Sequence, residues 1–412
     1  MNRRSILKSA LVGGTTVGLR MPLAHAADYD GKVFAFVQAD GGWDPTSFCD
    51  PKANTRGEPV INHWAERDEI RQAGNIPYAP FANNTAFFEK YHSRILVING
   101  VDAQTNSHTV GVVHNWSGRN SEGYPTTTAL LAAHYGSDKA VAYLSFGGFS
   151  YPGGVIRYTR LNNPDLLRNI AEPASARFGS YFFDPADWNA IAKHSTDTAR
   201  WLASRPDLPP SLAQRRVAYQ ASLNAEGFEA YANAIPNNEP DSRLKRQAEL
   251  AVLAFRTGVA ISADLWIGGF DTHSQHDGDH GRLLAELTDA VDYLWDFAET
   301  EGVADRLVVV MGSDFGRTNF YNADDGKDHW PIGSYVVMEK NQTWTDRAVG
   351  ETDDLHFAQR INPTTLERDD LHGTIIYPKH VHKALRRYLK IEDTAGAQRY
   401  PFNNTEDFAF FG

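Results

Sequence analysis

Among 412 residues the chain has a single cysteine, Cys49. One thiol forms no internal disulfide and builds no multi-cysteine zinc site. A metal, if one is bound, must be held by histidine and carboxylate. Cationic excess is also missing: 40 Lys and Arg stand against 51 Asp and Glu, a net charge of −11. Surfaces that follow a phosphate backbone need the opposite balance, which excludes a nucleic-acid partner. The apolar stretch near the start is broken by Gly13, Gly14, Gly18 and Arg20. It falls short of the ~20 apolar residues of a membrane span, and no stable membrane insertion is expected. There is no Gly-x-Gly-x-x-Gly between a strand and a helix, no Walker-type loop and no Gly-x-Ser-x-Gly. Dinucleotide oxidoreductases, P-loop enzymes and nucleophile-elbow hydrolases lose their support.

What is present is globular: 42% hydrophobic and 22% charged residues. Arg3-Arg4 followed by Ile6, Leu7 and Lys8 resembles a twin-arginine export signal, and Ala24-His25-Ala26 reads as its cleavage site. Residues 1–26 are therefore expected to be a leader that engages the twin-arginine translocase. The mature protein would be periplasmic or extracellular, where one lone cysteine is well suited to an oxidising compartment.

Apolar runs at 33–37, 95–98, 307–311 and 334–338 read as buried strands. Between them Leu283, Leu284, Leu287, Val291, Leu294 and Phe297 form one helical stripe. Residues 245–263 read as another helix. Val381, Leu385 and Leu389 mark a third, with Lys383, Arg386 and Arg387 expected on its outer side. Such alternation predicts an α/β fold: a mostly parallel central sheet with helices on both faces. Residues 150–245 are rich in Pro and Asn and read as an inserted helical cap. It divides the core into 27–149 and 246–412.

Polar residues cluster where strands end, the place where open α/β sheets bind ligands. After the first strand come Asp40-Gly41-Gly42-Trp43-Asp44, in which Asp40 or Asp44 would face the crevice; a solvated turn capped by aspartate is the plainer reading. Asn106-Ser107-His108 opens a helix, where Ser107 is either an ordinary cap or, with His108, a group poised at the positive end of the dipole. Asp271, His273, His276 and their neighbours up to His280 form a dense carboxylate–imidazole set suited to zinc or a similar ion. After the strongest strand come Asp314 and Arg317, then Lys327-Asp328-His329. Arg317 could grip an anionic oxygen, or serve as a surface ion pair.

Gly268-Gly269-Phe270-Asp271-Thr272-His273, Ser313-Asp314-Phe315-Gly316-Arg317-Thr318 and Lys327-Asp328-His329-Trp330-Pro331 resemble the signature blocks of the domain-of-unknown-function family numbered 1501. The leader, Gly41-Gly42-x-Asp44, Ser107-His108 and Asp370-Leu371-His372-Gly373-Thr374 resemble it as well. That family is placed in the alkaline-phosphatase and sulfatase superfamily of metal-dependent hydrolases and mutases. The resemblance implies an alkaline-phosphatase-like fold and one or two divalent ions: zinc, or manganese, magnesium or calcium. Asp271, His273 (or His276) and His329 would hold one ion, and Asp314 with Asp44 or Asp40 a second. Ser107 or His108 would be nucleophile or base, with Arg317 on the anion. Three departures are evident: Phe315 where the superfamily has His or Asn, His108 at the nucleophile place, and Gln275 at the common ligand spacing.

Two functions follow as expectations. The first is an exported metal-dependent hydrolase of phosphate or sulfate esters, with a small anionic ester as substrate. The second is a non-catalytic periplasmic binding or assembly protein that keeps the fold; Tyr151, Tyr181, Phe182 and Phe183 in the cap would meet its sugar or partner.

Overall fold

The computed structural model describes residues 29–161, 163, 184–209, 212, 215–216, 219 and 225–412. The expected leader at 1–26 and the expected cap residues Tyr181, Phe182 and Phe183 lie outside the described residues.

The four apolar runs form four wholly or almost wholly buried strands: β1 (Val33–Ala39), β4 (Ile95–Asp102), β8 (Leu307–Ser313) and β11 (Ile332–Met338). With β5 (Tyr143–Ser145), β6 (Thr159–Arg160), β7 (Ser262–Ile267) and β12 (Arg347–Val349) they build an eight-stranded sheet in the order β12-β4-β11-β8-β1-β7-β5-β6, while β2 (Arg71–Ala73) and β3 (Ile76–Tyr78) form a separate antiparallel pair. β1 lies between β7 and β8 and is parallel to both. The fold is mixed α/β, with this mostly parallel sheet flanked by helices.

β11 is the exception, antiparallel to β8 and to β4. The cause is its connection. Parallel neighbours need a long crossover, usually a helix. Here the chain returns through a short ribbon in which β9 (Gly316–Arg317) pairs antiparallel with β10 (His329–Trp330). As a result β11 begins at the edge where β1, β4, β7 and β8 end.

Strand alternation gives the sheet two apolar faces. Val33, Ala35, Val37 and Ala39 enter one core, while Phe34 and Phe36 enter the other. The first core is covered by α1 (Asn84–Tyr91), α6 (Arg243–Arg256) and α7 (His276–Thr300); α6 stops short of the expected residue 263, because Ser262 and Ala263 already pair with β1 in the sheet. In α7 the stripe from Leu283 to Leu294 is buried as its period predicts. The second core is covered by α2 (His108–Ser117), α3 (Thr127–Tyr135) and α8 (Pro378–Tyr388). On α8, Arg386 departs from its expected outward position: it is buried, with its guanidinium over the Phe402 ring and donating to the Tyr400 carbonyl. Within 150–245 the described residues include α4 (Pro185–Ala203) and α5 (Ala225–Ala234), while Thr159 and Arg160 extend the main sheet as β6.

Candidate metal centre

Four strand ends deliver the site. Chain crowding there requires glycine. Gly41 has φ +118°, and a Cβ on it would lie 2.4 Å from the backbone nitrogen of Asp271. A Cβ on Gly326 would lie 1.8 Å from the carbonyl oxygen of His273. The loop after β7 and the ribbon after β8 are thus in contact along their backbones. They are also joined by an antiparallel bridge between Ser274 and Asp325 and by the amide of His276 donating to the Asp325 carbonyl.

Asp271 is the focus. Its Oδ1 lies 2.9 Å from His273 Nε2, 3.0 Å from His329 Nε2 and 3.3 Å from His108 Nε2. Each of these rings is held from behind through Nδ1. His108 meets Asp314 at 2.5 Å, His273 meets Asp328 at 2.6 Å and His329 meets the carbonyl of Asn106 at 2.8 Å. A carbonyl only accepts, so His329 Nδ1 carries a proton, and Nε2 is the nitrogen left to face Asp271 and an ion. The carboxylate partners favour the same arrangement in His108 and His273. Three imidazole Nε2 atoms therefore converge on one carboxylate oxygen. His273 and His329 bring their Nε2 atoms within 3.0 Å of each other, and His108 Nε2 is a buried atom with no hydrogen-bond partner. Unprotonated nitrogens packed this way repel unless a positive charge lies among them, and a metal ion supplies it. His108, Asp271 and His329 each offer a ligand atom within 4.8 Å of the others. His–carboxylate donors with outer partners on every ring are a zinc-type ligand set, and it fits a divalent ion.

The electrostatics agree. Burial works against a charged Asp271, but the Arg317 hydrogen bond at 2.7 Å and His329 outweigh it and hold the carboxyl far below its ordinary range. The hydrogen bond to Asp314 raises the affinity of His108 for a proton, against its partial burial. His273 does the reverse to Asp328, lowering its pKa.

The other expected site residues are placed as follows. Asp314 is fully buried; its Oδ1 accepts from the Gly41 amide at 3.0 Å and its Oδ2 orients His108. Ser107 caps α2 by position only; its side chain makes no capping bond and is exposed beside His108. Arg317 is also fully buried. It donates to the carbonyls of Gly41, Gly42 and Lys327 as well as to Asp271, so it acts on Asp271 from below rather than on an incoming anion. Asp40 bonds the Trp266 indole and is pushed up to about 6, chiefly by burial. His276 turns away from Asp271, with Thr272 on Nδ1 and Asp44 on Nε2. Phe315, in the position of a polar residue, packs its ring against His108 and His329 at centroid distances of 4.8 and 4.7 Å.

Asp44 does not join the Asp271 cluster. Its Oδ2 lies 2.6 Å from the ammonium of Lys327, and both side chains are 0% exposed. Burial raises its pKa, yet Lys327 and then His276 prevail and keep it ionised. Sequence reasoning missed Lys327, because a lysine in a polar loop reads as a solvated charge. It missed Asn106 too, which acts through its backbone, where side-chain identity carries no signal.

No curated protein sequence matches the chain. Solved structures align with it over most of its length at low identity. Ps i-CgsB in complex with k-i-k-neocarrahexaose is 8% identical, with 92% of this chain and 75% of that one covered and a TM-score of 0.43. For the lipoteichoic acid synthase LtaP from Listeria monocytogenes the values are 10%, 88%, 73% and 0.36. For the alkaline phosphatase of the Antarctic bacterium TAB5 they are 8%, 88%, 99% and 0.37. Residues 198–385, which include Asp271, His273, Asp314, Arg317 and His329, match the family described as protein of unknown function, DUF1501.

Proposed function

We propose that the chain is an exported, metal-dependent hydrolase of phosphate or sulfate esters. The convergence of three imidazole Nε2 atoms on Asp271 Oδ1 carries this reading. His108, His273, His329 and Asp271 would hold the ion; bound there, a divalent cation polarises an ester oxygen and lowers the pKa of an attacking water or hydroxyl. The chain's own groups set the geometry. Asp314, Asp328 and the Asn106 carbonyl fix the ring orientations, and Arg317 keeps Asp271 ionised. Asp271 and His273 are nearly half exposed, at 45% and 46% for their side chains, so a substrate reaches the donors from solvent. Since His108 faces the donor cluster, the exposed hydroxyl of Ser107 is left as the side-chain nucleophile, with water as its rival. The ester class rests on the resemblance to the superfamily.

The test is elemental analysis together with turnover of aryl phosphate and aryl sulfate esters. The unaltered protein should hold a divalent ion and hydrolyse one ester class. Asp271→Ala and His329→Ala should lose both properties. Full metal and full activity in both variants would sink the reading.

One observation favours the second reading, a periplasmic binding or assembly protein. Arg317 and Lys327 are both fully buried and engaged with internal acceptors. Stoichiometric capture of a periplasmic partner, with no ester turnover by the metal-loaded protein, would favour it. Export is part of either reading. No helix among the described residues is long and apolar enough to cross a membrane. N-terminal sequencing of the exported protein should begin at Ala27.

A further inference from the structure

A second cluster of ligand-type side chains lies outside the Asp271 centre, beneath the start of α7. His276 and His280 are four residues apart on that helix and stack at 4.6 Å between ring centroids. His276 Nε2 is 3.3 Å from Asp44 Oδ2, and His280 Nε2 accepts from the Asp44 amide at 3.4 Å. Two histidines at this spacing on one helix face, with a carboxylate opposite, are a familiar donor set for a divalent ion. All three side chains are fully buried.

A cation is already there. The Lys327 ammonium meets Asp44 Oδ2 at 2.6 Å, Asn62 Oδ1 at 3.1 Å and Thr46 Oγ1 at 3.3 Å, and it lies over the Tyr321 ring. The amine cannot easily swing out. The Lys327 amide donates to the Thr272 carbonyl at 3.1 Å, and its own carbonyl accepts from Arg317 at 2.9 Å. Backbone anchors on both sides thus hold the side chain over Asp44. An ion entering here would have to displace a charge with the same electrostatic task.

We infer that Asp44, His276 and His280 form a latent second metal site that the ammonium of Lys327 fills permanently, so that no divalent ion enters there. Removing the amine exposes the site. Asp44 then lacks its strongest partner, and a divalent ion is the available replacement. The inference builds on the metal reading of the Asp271 centre only for the first ion, because the second is measured by difference.

The experiment titrates the metal-free, full-length mature protein with zinc or cobalt(II) and counts bound ions after desalting. The unaltered protein should retain one equivalent. Lys327→Ala should retain one more, with new cobalt absorption, and Lys327→Ala/His276→Ala should lose the added ion. Without metal, Lys327→Ala should melt below the unaltered protein and recover on addition of zinc. Two equivalents in the unaltered protein overturn the inference before any variant is made. A Lys327→Ala variant that gains no ion, or remains unfolded with zinc present, overturns it as well. If the count runs from none to one instead of one to two, the Asp271 centre fails as a metal site while the inference stands.

Discussion

Asp271 Oδ1 receives a guanidinium and faces three ring nitrogens, so small changes behind those rings should be felt at the metal. Asp314→Asn keeps the shape but removes the charge that fixes His108. Loss of an outer partner of this kind typically costs 10–100-fold in metal affinity, and a competition titration against a chromophoric chelator should find a loss of that size. A different residue sets a pH effect. Asp264 is fully buried, accepts from Tyr143 and Ser150, and leaves Oδ1 without a partner. Burial pushes its pKa up to about 7, from the 3.8 of an ordinary aspartate. Between those two values the unfolded chain gives up this proton more readily than the folded one, so rising pH costs stability until the folded carboxyl has also ionised. Asp264→Asn has no such proton to lose. Its melting temperature relative to the unaltered protein should climb as pH goes from about 4 to about 7, then level off. A difference that is flat across this window would show that Asp264 is not held protonated.

The backbone elements impose their own constraints. At the end of β1, Gly41→Ala places a methyl against the Asp271 amide in a conformation L-residues avoid. The strain alone should cost roughly 1–3 kcal/mol in urea unfolding, and the shifted Asp271 should weaken metal binding in parallel. Breaking a buried ion pair by removing one partner costs about 3–5 kcal/mol. Asp44→Ala, which strands the buried Lys327 ammonium, should show a loss of that order. Strands and the α7 stripe were legible in the sequence because continuous apolar runs and a 3.6-residue period leave few alternatives. The direction of β11 was not. It depends on the hairpin between β8 and β11, and an apolar strand reads the same whichever way it runs. Arg317 and Arg386 were hidden for a related reason. A guanidinium reads as exposed unless one knows which backbone carbonyls are left for it, here those of Gly41, Gly42 and Lys327 for the first and Tyr400 for the second.

Across the whole molecule, the donors come from three distant stretches near 108, 271 and 329 that no local pattern connects. Their residue types were visible in the sequence, as was their position at strand ends. Which of them stand together depended on packing: Asp314 lies behind His108, and His276 meets Asp44. The two loops that supply Asp271, His273 and His329 are interlocked by the close passage of Gly326 over His273 and the bridge between Ser274 and Asp325. Such a junction holds its shape whether or not the donors are engaged. Treatment with EDTA should therefore strip the ion yet leave the circular dichroism spectrum unchanged, in contrast to a zinc finger, which collapses on chelation. The emptied protein should then accept cobalt or manganese in place of zinc without refolding, a metal exchange that its interlocked loops make reversible.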